Sequence, residues 1–273
     1  MGGFLGVEDA PGEKSTNELQ PPAGIQSSGP ASQSLSSAHP ANFTQFPPGG
    51  LYSMSLPPVQ SSLNVEFFRR GPAEVARGLL GCGVAHRVDG RWLGGWIVET
   101  EAYLAQDDPA SHSSRGLTAG NASMFGAPGT LYVYPIHAKH CMNLVTEDSG
   151  IGSAVLIRAI EPVWGMEQMQ QNRGTTNHRR ITSGPGMICH AMQIQRDCDG
   201  VEVLRSNDWR LTLGHDLRAR IITSPRVGIR HAAELPLRFF VDGNRYVSGL
   251  AGLHNRPRRD EIGPANAHGT AHL

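Results

Sequence analysis

The sequence predicts an α+β domain, an antiparallel or mixed β-sheet with a few short helices around it. Three observations carry this expectation. Strand-like runs adjoin one another across tight turns, the helical stretches between them are short, and the steady strand–helix alternation of a doubly wound fold is missing. With 273 residues the chain can enclose a sizeable core even after its ends are set aside.

Residues 1–64 read as a flexible tail. From Leu19 to Asn64 there is no Asp, Glu, Lys or Arg, only Pro, Ser, Gln, Gly and Ala with scattered apolar residues. Such a mixture buries too little to offset the entropy of ordering. A folded domain is expected from 65 to 250 and a second polar tail from 251 to 273. The N-terminus lacks a basic stretch leading into an apolar run, and no apolar run approaches the roughly 18 residues of a membrane span. An intracellular protein without a membrane partner is expected, cytoplasmic if the source is prokaryotic.

The formal net charge is zero, unevenly spread. Glu8, Asp9, Glu13 and Glu18 outweigh Lys14 in the tail, so the remainder is basic, with arginine supplying every basic group there except Lys139. Arginine suits phosphate oxygens, although on charge alone a GC-rich genome that favours arginine codons is the better explanation of the bias. Cys82, Cys141, Cys189 and Cys198 form no C-x-x-C and are expected as free thiols.

In order, Pro72 opens a helix over Ala73–Leu80 and Gly81 ends it. Cys82–Val88 and Arg91–Glu101 form a hairpin about Asp89-Gly90. Residues 104–129 are a Ser/Gly/Asp/Pro-rich loop. Strands follow at Thr130–Ile136, Cys141–Val145 and Ala154–Ile160, and Pro162 is expected to start a helix to Arg173. Thr175–Thr182 is polar and basic. Ser183-Gly184-Pro185 reads as the cap and first turn of a helix through Ala191 and Gln193. The remaining strands are Val201–Leu204, Trp209–Leu213, Ile221–Ser224 and Leu237–Val241.

Chemistry-bearing residues crowd into 97–143. Glu99 and Glu101 end a strand on one face, since side chains two apart point the same way. Two nearby carboxylates shift each other's proton affinity, which suits one to act as a general base. Tyr103 follows, His112 lies in a loop where core packing is not expected, and Tyr132 and Tyr134 share a strand face. Such rings form either an ordinary core face or a stacking slot for a planar, preferably cationic, ligand. His137 and His140 do not converge with a third donor, so no metal is expected. Walker, dinucleotide-binding, H-E-x-x-H and zinc-deaminase signatures are missing, and no cofactor is expected.

The runs Ile97–Tyr103, His112-Ser113, Met124-Phe125, Pro128–Tyr134, Cys141-Met142-Asn143, Leu156–Pro162, Ser183-Gly184-Pro185, Arg226-Val227-Gly228 and Pro236–Phe240 resemble the alkyladenine (3-methyladenine) DNA glycosylases of the mammalian type. The resemblance implies a single mixed domain with a curved antiparallel sheet. It also implies a monomeric, monofunctional repair enzyme that hydrolyses the N-glycosidic bond of alkylated or deaminated purines in double-stranded DNA, with water as co-substrate. By position, Glu101 matches the water-activating base and Arg158 a group near the water and the DNA backbone. Tyr103, His112 and Tyr134 match the walls of the base pocket and Asn143 its floor. His137 stands where the family usually carries an intercalating tyrosine, and the segment after it is one residue shorter. Lys139 raises the question of lyase chemistry, and no borohydride-trapped DNA adduct is expected. Two other classes compete: a silent module that binds damaged or single-stranded nucleic acid without releasing a base, and a small-molecule hydrolase using a metal at His137 and His140.

Overall fold

The computed structural model describes Pro57, residues 63–214 and residues 220–249. These belong to one compact unit within residues 51–273. The expected tails at 1–64 and 251–273 lie outside the described residues, apart from Pro57, Leu63 and Asn64. Leu63 is buried in the core, and the Asn64 side chain accepts the Phe67 N–H at 3.0 Å, capping the short helix α1 (Val65–Phe68).

Helix α2 (Pro72–Leu79) buries Pro72, Val75, Ala76 and Leu79, the i, i+3, i+4, i+7 stripe of a helix laid on a sheet. Strands β1 (Gly83–Val88) and β2 (Arg91–Tyr103) form the expected hairpin. Asp89 and Gly90 take φ of 49° and 76°, the left-handed pair required by a tight turn that matches strand twist. After the loop come β3 (Leu131–Ile136), β4 (Lys139–Thr146) and β5 (Ser153–Trp164). Helices α3 (Met166–Arg173) and α4 (Pro185–Ala191) precede β6 (Trp209–Thr212), β7 (Ile221–Ser224) and β8 (Arg238–Val241).

The eight strands form one antiparallel sheet, ordered β3-β4-β5-β2-β1-β6, with β8 joining β2 to β7. Strand β2 is its spine. One edge pairs with β5 along its length, while the other pairs with β1 up to Trp96 and with β8 from Glu99 to Glu101. The change of partner coincides with register shifts between Ile97 and Thr100, where the strand bends. Neighbouring backbones close tightly on β2 at Gly94 and Gly95. A Cβ at Gly95 would stand 1.9 Å from the Glu161 carbonyl oxygen, so no larger residue fits.

The sheet separates two apolar clusters. The larger, with Val98, Ala102, Leu144, Val155 and Ile157, packs against α2 and α4. The smaller, Met124, Tyr132, Val145 and Ala154 with Tyr103, Phe125 and Tyr134 against it, lies under the 104–129 loop. Among the described residues no helix is long and apolar enough to cross a membrane. All four cysteines are free and buried.

Three elements differ from expectation. Pro162 does not open a helix: β5 continues to Trp164, and the proline, lacking an N–H, sits opposite Gly95 beside a register shift. Helix α3 starts only after Gly165, whose φ of 67° turns the chain. Ser183 does not cap α4 but bridges Ala159, and Gly184 is the N-cap. Val201–Leu204 is a turn with a single bridge, Glu202 to Thr130, rather than a strand.

Candidate active site

The register of the sheet brings the chemistry together. Glu101 pairs with Leu156, Leu156 with Asn143, and Asn143 with Tyr132, a row across four strands. Residues directly opposite in antiparallel strands share a face, and residues two apart in a strand stay on it. Tyr103, Ala154 and Val145 therefore line the next row, and Arg158 and Tyr134 fall on the same face. Thr100, between the two glutamates, points to the other side, where its hydroxyl donates to the Ala76 carbonyl at 2.9 Å.

Glu101 is fully buried, and three donors converge on its carboxylate. The Val227 N–H donates to Oε1 at 2.7 Å, while the Tyr103 hydroxyl and Arg158 Nη1 donate to Oε2 at 3.0 and 3.3 Å. Arg158 also donates from Nε to Glu99 at 3.1 Å and from Nη2 to the Ser248 hydroxyl at 3.2 Å. The two glutamates thus share a face, but each meets Arg158 rather than the other carboxylate. Burial alone would lower the arginine's pKa, but Glu101 and then Glu99 raise it above its usual value, so it stays charged.

Behind Arg158 the network is closed by residues distant in sequence. Glu99 accepts Arg238 Nε at 2.7 Å and the Ser248 N–H at 2.6 Å, and Arg238 Nη2 donates to the Ser248 carbonyl at 2.7 Å. Arg226 forms a two-pronged pair with Asp108, both contacts 2.7 Å, and its guanidinium lies 4.6 Å from the Tyr103 ring centre. Burial would raise the Asp108 pKa, yet the Arg226 hydrogen bonds and the Leu104 N–H hold it below its usual value. This pair fixes Tyr103 and, through the adjoining residue, aims the Val227 N–H at Glu101.

The ring cluster stands on the same face. His112 packs edge-on to Tyr134 with centroids 4.6 Å apart, and Tyr132 and Tyr134 are 5.4 Å apart. His112 Nδ1 is 2.7 Å from the Tyr132 hydroxyl. Burial, and then Arg115, lowers the His112 pKa, favouring the neutral ring. The Tyr132 hydroxyl is pushed up to about 12 by burial and then Asp199, and Tyr103 and Tyr134 also lie above the usual phenol range, so all three stay neutral hydroxyls at pH 7. Asn143 is buried and donates from Nδ2 to the Tyr132 carbonyl at 3.0 Å.

Six of the seven sequence-predicted residues, Glu101, Arg158, Tyr103, His112, Tyr134 and Asn143, therefore share this face or the loop over it. His137 lies apart, exposed at the tip of the β3–β4 hairpin with φ 51°, three residues beyond Tyr134. Lys139 is likewise exposed, its stem packed against Gly186. Among the described residues no three His, Cys, Asp or Glu side chains are grouped to hold a metal ion. Not anticipated as site components were Asp108, Arg226, Arg238, Ser248 and the Val227 N–H. A buried arginine needs a carboxylate or carbonyl partner, but its identity depends on contacts more than a hundred residues apart along the chain.

Comparison with known proteins fits this geometry. Relatives whose names assign them as 3-methyladenine DNA glycosylases include one from Rhodopirellula baltica, 62% identical over 207 residues, covering 74% of this chain and 89% of the relative. Another, from Methanoculleus marisnigri, is 43% identical over 194 residues, 68% of this chain and 98% of its own. A third, from Rhizobium meliloti, is 45% identical over 186 residues, 68% of this chain and 95% of its own. The family model described as methylpurine-DNA glycosylase matches residues 66–245, a span containing every strand of the sheet and all seven predicted site residues. With its sheet, its ring cluster and its anchored carboxylate all inside that span, this chain belongs to the methylpurine-DNA glycosylase family.

Proposed function

We propose that the protein releases alkylated or deaminated purines, of the 3-methyladenine and hypoxanthine class, from double-stranded DNA by hydrolysing the N-glycosidic bond, and that it acts as a monomer. One observation carries the reading: the Glu101 carboxylate is anchored on the same sheet face as Tyr103 and Tyr134, under the loop that packs His112 against Tyr134.

The chemistry follows from the residue types. A base inside a duplex must be extruded, at a cost of a few kcal/mol that is least for a damaged or mispaired base. Tyr103, His112 and Tyr134 take the flipped base. A cationic methylated purine gains cation–π attraction of up to ~2 kcal/mol in a desolvated slot, which an ordinary purine lacks. Asn143 forms the floor, and His137 fills the gap the nucleotide leaves. Glu101 accepts a proton from water as the water oxygen bonds to the sugar C1′. The C1′–N bond breaks and its electron pair leaves with the base: a cationic methylated purine is neutralised without a separate acid, while a neutral hypoxanthine leaves as its anion and takes a proton from solvent water. Arg158 keeps the carboxylate oriented toward the sugar, where positive charge develops.

The test is incubation with duplex oligonucleotides carrying single damaged purines, followed by detection of abasic sites and free base. Abasic sites with released base are expected. Tight binding to lesion duplexes without release would instead make the chain a silent recognition module.

A further inference from the structure

Between Glu167 and Asp197 the sequence contains no acidic residue, yet it carries Arg173, His178, Arg179, Arg180, His190 and Arg196. The fold gathers most of these into one place. Arg173, at the end of α3, donates from Nε to the Ile181 carbonyl at 3.0 Å and from Nη2 to the Arg180 carbonyl at 3.3 Å. Its Nη1 meets His190 Nδ1, on α4, at 3.2 Å. The stem of Lys139 lies on Gly186, where an added Cβ would stand 2.8 Å from the lysine Cδ. Lys139, His178, Arg179, Arg180 and His190 are all exposed.

None of these five groups, nor Arg173, pairs with a carboxylate among the described residues, whereas Arg69, Arg70, Arg87 and Arg205 each do. The cations act on one another instead. After burial, the next-largest influence lowering the Arg173 pKa is Arg180, and those lowering His190 are Arg173 and Lys139. A cluster that repels itself is relieved by a polyanion.

Its location fits one. β4 pairs with β5 only from Asn143 onward. Before that point α4 packs along β4, and Ser183 bridges Ala159 of β5. The basic cluster therefore borders the hairpin that carries Tyr134 and, three residues on, His137 at its tip. We propose that Lys139, His178, Arg179 and Arg180 form a phosphate-contacting surface that grips the backbone of duplex DNA alongside the β3–β4 hairpin. This rests on the reading of the protein as a glycosylase.

The test is binding of an undamaged duplex and a lesion duplex, followed by fluorescence anisotropy over a series of KCl concentrations. Each phosphate contact removed lowers the slope of log affinity against log salt by ~0.9. The triple variant K139Q/R179Q/R180Q should lose roughly 2.7 of slope on both duplexes. The charge-keeping variant K139R/R179K/R180K should retain the wild-type slope, as should R69Q/R87Q, which removes carboxylate-paired arginines elsewhere. A wild-type slope in the triple variant, or an equal loss in R69Q/R87Q, overturns the proposal. Release of free base by the wild-type protein reports separately on the glycosylase reading: release with an unchanged slope sinks this surface alone, and the expected slope loss without release sinks that reading alone.

Discussion

At the scale of single residues the site is defined by how Glu101 is held. A buried carboxylate must have its lone pairs engaged, and here a backbone N–H, a phenol and a guanidinium do so. Of the three, the Tyr103 hydroxyl is the neutral side-chain donor, and its ring is also a wall of the proposed base slot, so the two duties can be separated. Tyr103→Phe should keep lesion-duplex binding and hold single-turnover base release within ~10-fold, because the ring remains and Glu101 gains a free acceptor for water. Tyr103→Ala should weaken lesion binding by about 1–3 kcal/mol, the value of stacking one base on one ring. Titrations and single-turnover assays of both variants decide it, and identical behaviour would contradict the division. The residues on the sheet face were legible in the sequence because strand periodicity is two and the motif runs are long. Tyr103 and Glu101 could be placed together that way. Arg226 and Asp108, 118 residues apart, could not, because nothing local in either segment names the other.

At the scale of elements, β2, β5 and β8 are tied through Glu99, which accepts from Arg158 and Arg238 as well as from the Ser248 N–H. Removing its charge leaves buried Arg238 without a carboxylate partner and Arg158 with Glu101 alone. Glu99→Gln should therefore cost about 3–5 kcal/mol, measured by urea unfolding, and a loss below ~1 kcal/mol would show that the network contributes little. The β3–β4 hairpin is the other decisive element. A two-residue turn with His137 at φ 51° leaves that side chain exposed at the hairpin tip, as the proposed wedge role requires. Histidine offers less stacking area than tyrosine. His137→Tyr should tighten lesion-duplex binding several-fold by anisotropy, and weaker binding would remove this hairpin from the flipping step. The hairpin at Asp89-Gly90 was readable from turn chemistry, and the strands on either side of His137 from alternation, but the two-residue turn at 137–138 was not, because neither residue is a turn former. Pro162 was misread because a proline after a strand usually starts a helix, and only the tertiary register shift opposite Gly95 makes room for it in the sheet. Val201–Leu204 has strand-like composition, but only Glu202 joins a bridge, and its apolar residues are used for packing instead.

At the scale of the whole molecule, histidines set the response to acid. Burial lowers the pKa of His86, stacked on Trp209 at 4.4 Å, as it does for His112 and His190. In the unfolded chain each returns to its ordinary 6.5. A histidine with a depressed folded pKa contributes its stability in full above 6.5 and loses it as pH falls through the lower folded value. Asp108, also depressed, acts in the same direction further down, below its ordinary 3.8. Melting temperature should therefore fall as pH drops from 7.5 to 5.5, and a rise over that interval would contradict the lowered proton affinity of these rings. The α+β class and the antiparallel hairpins were legible because they are local. The path of the sheet, with β8 returning to the end of β2, rests on contacts across more than a hundred residues.

The most direct measurement is single-turnover release of hypoxanthine or 3-methyladenine from a lesion duplex by wild-type protein and Glu101→Gln. The amide keeps the shape of the side chain but cannot take a proton from water. Base release should fall by at least ~10²-fold, with duplex affinity within a few-fold of wild type. Equal rates for the two proteins would show that another group activates the water.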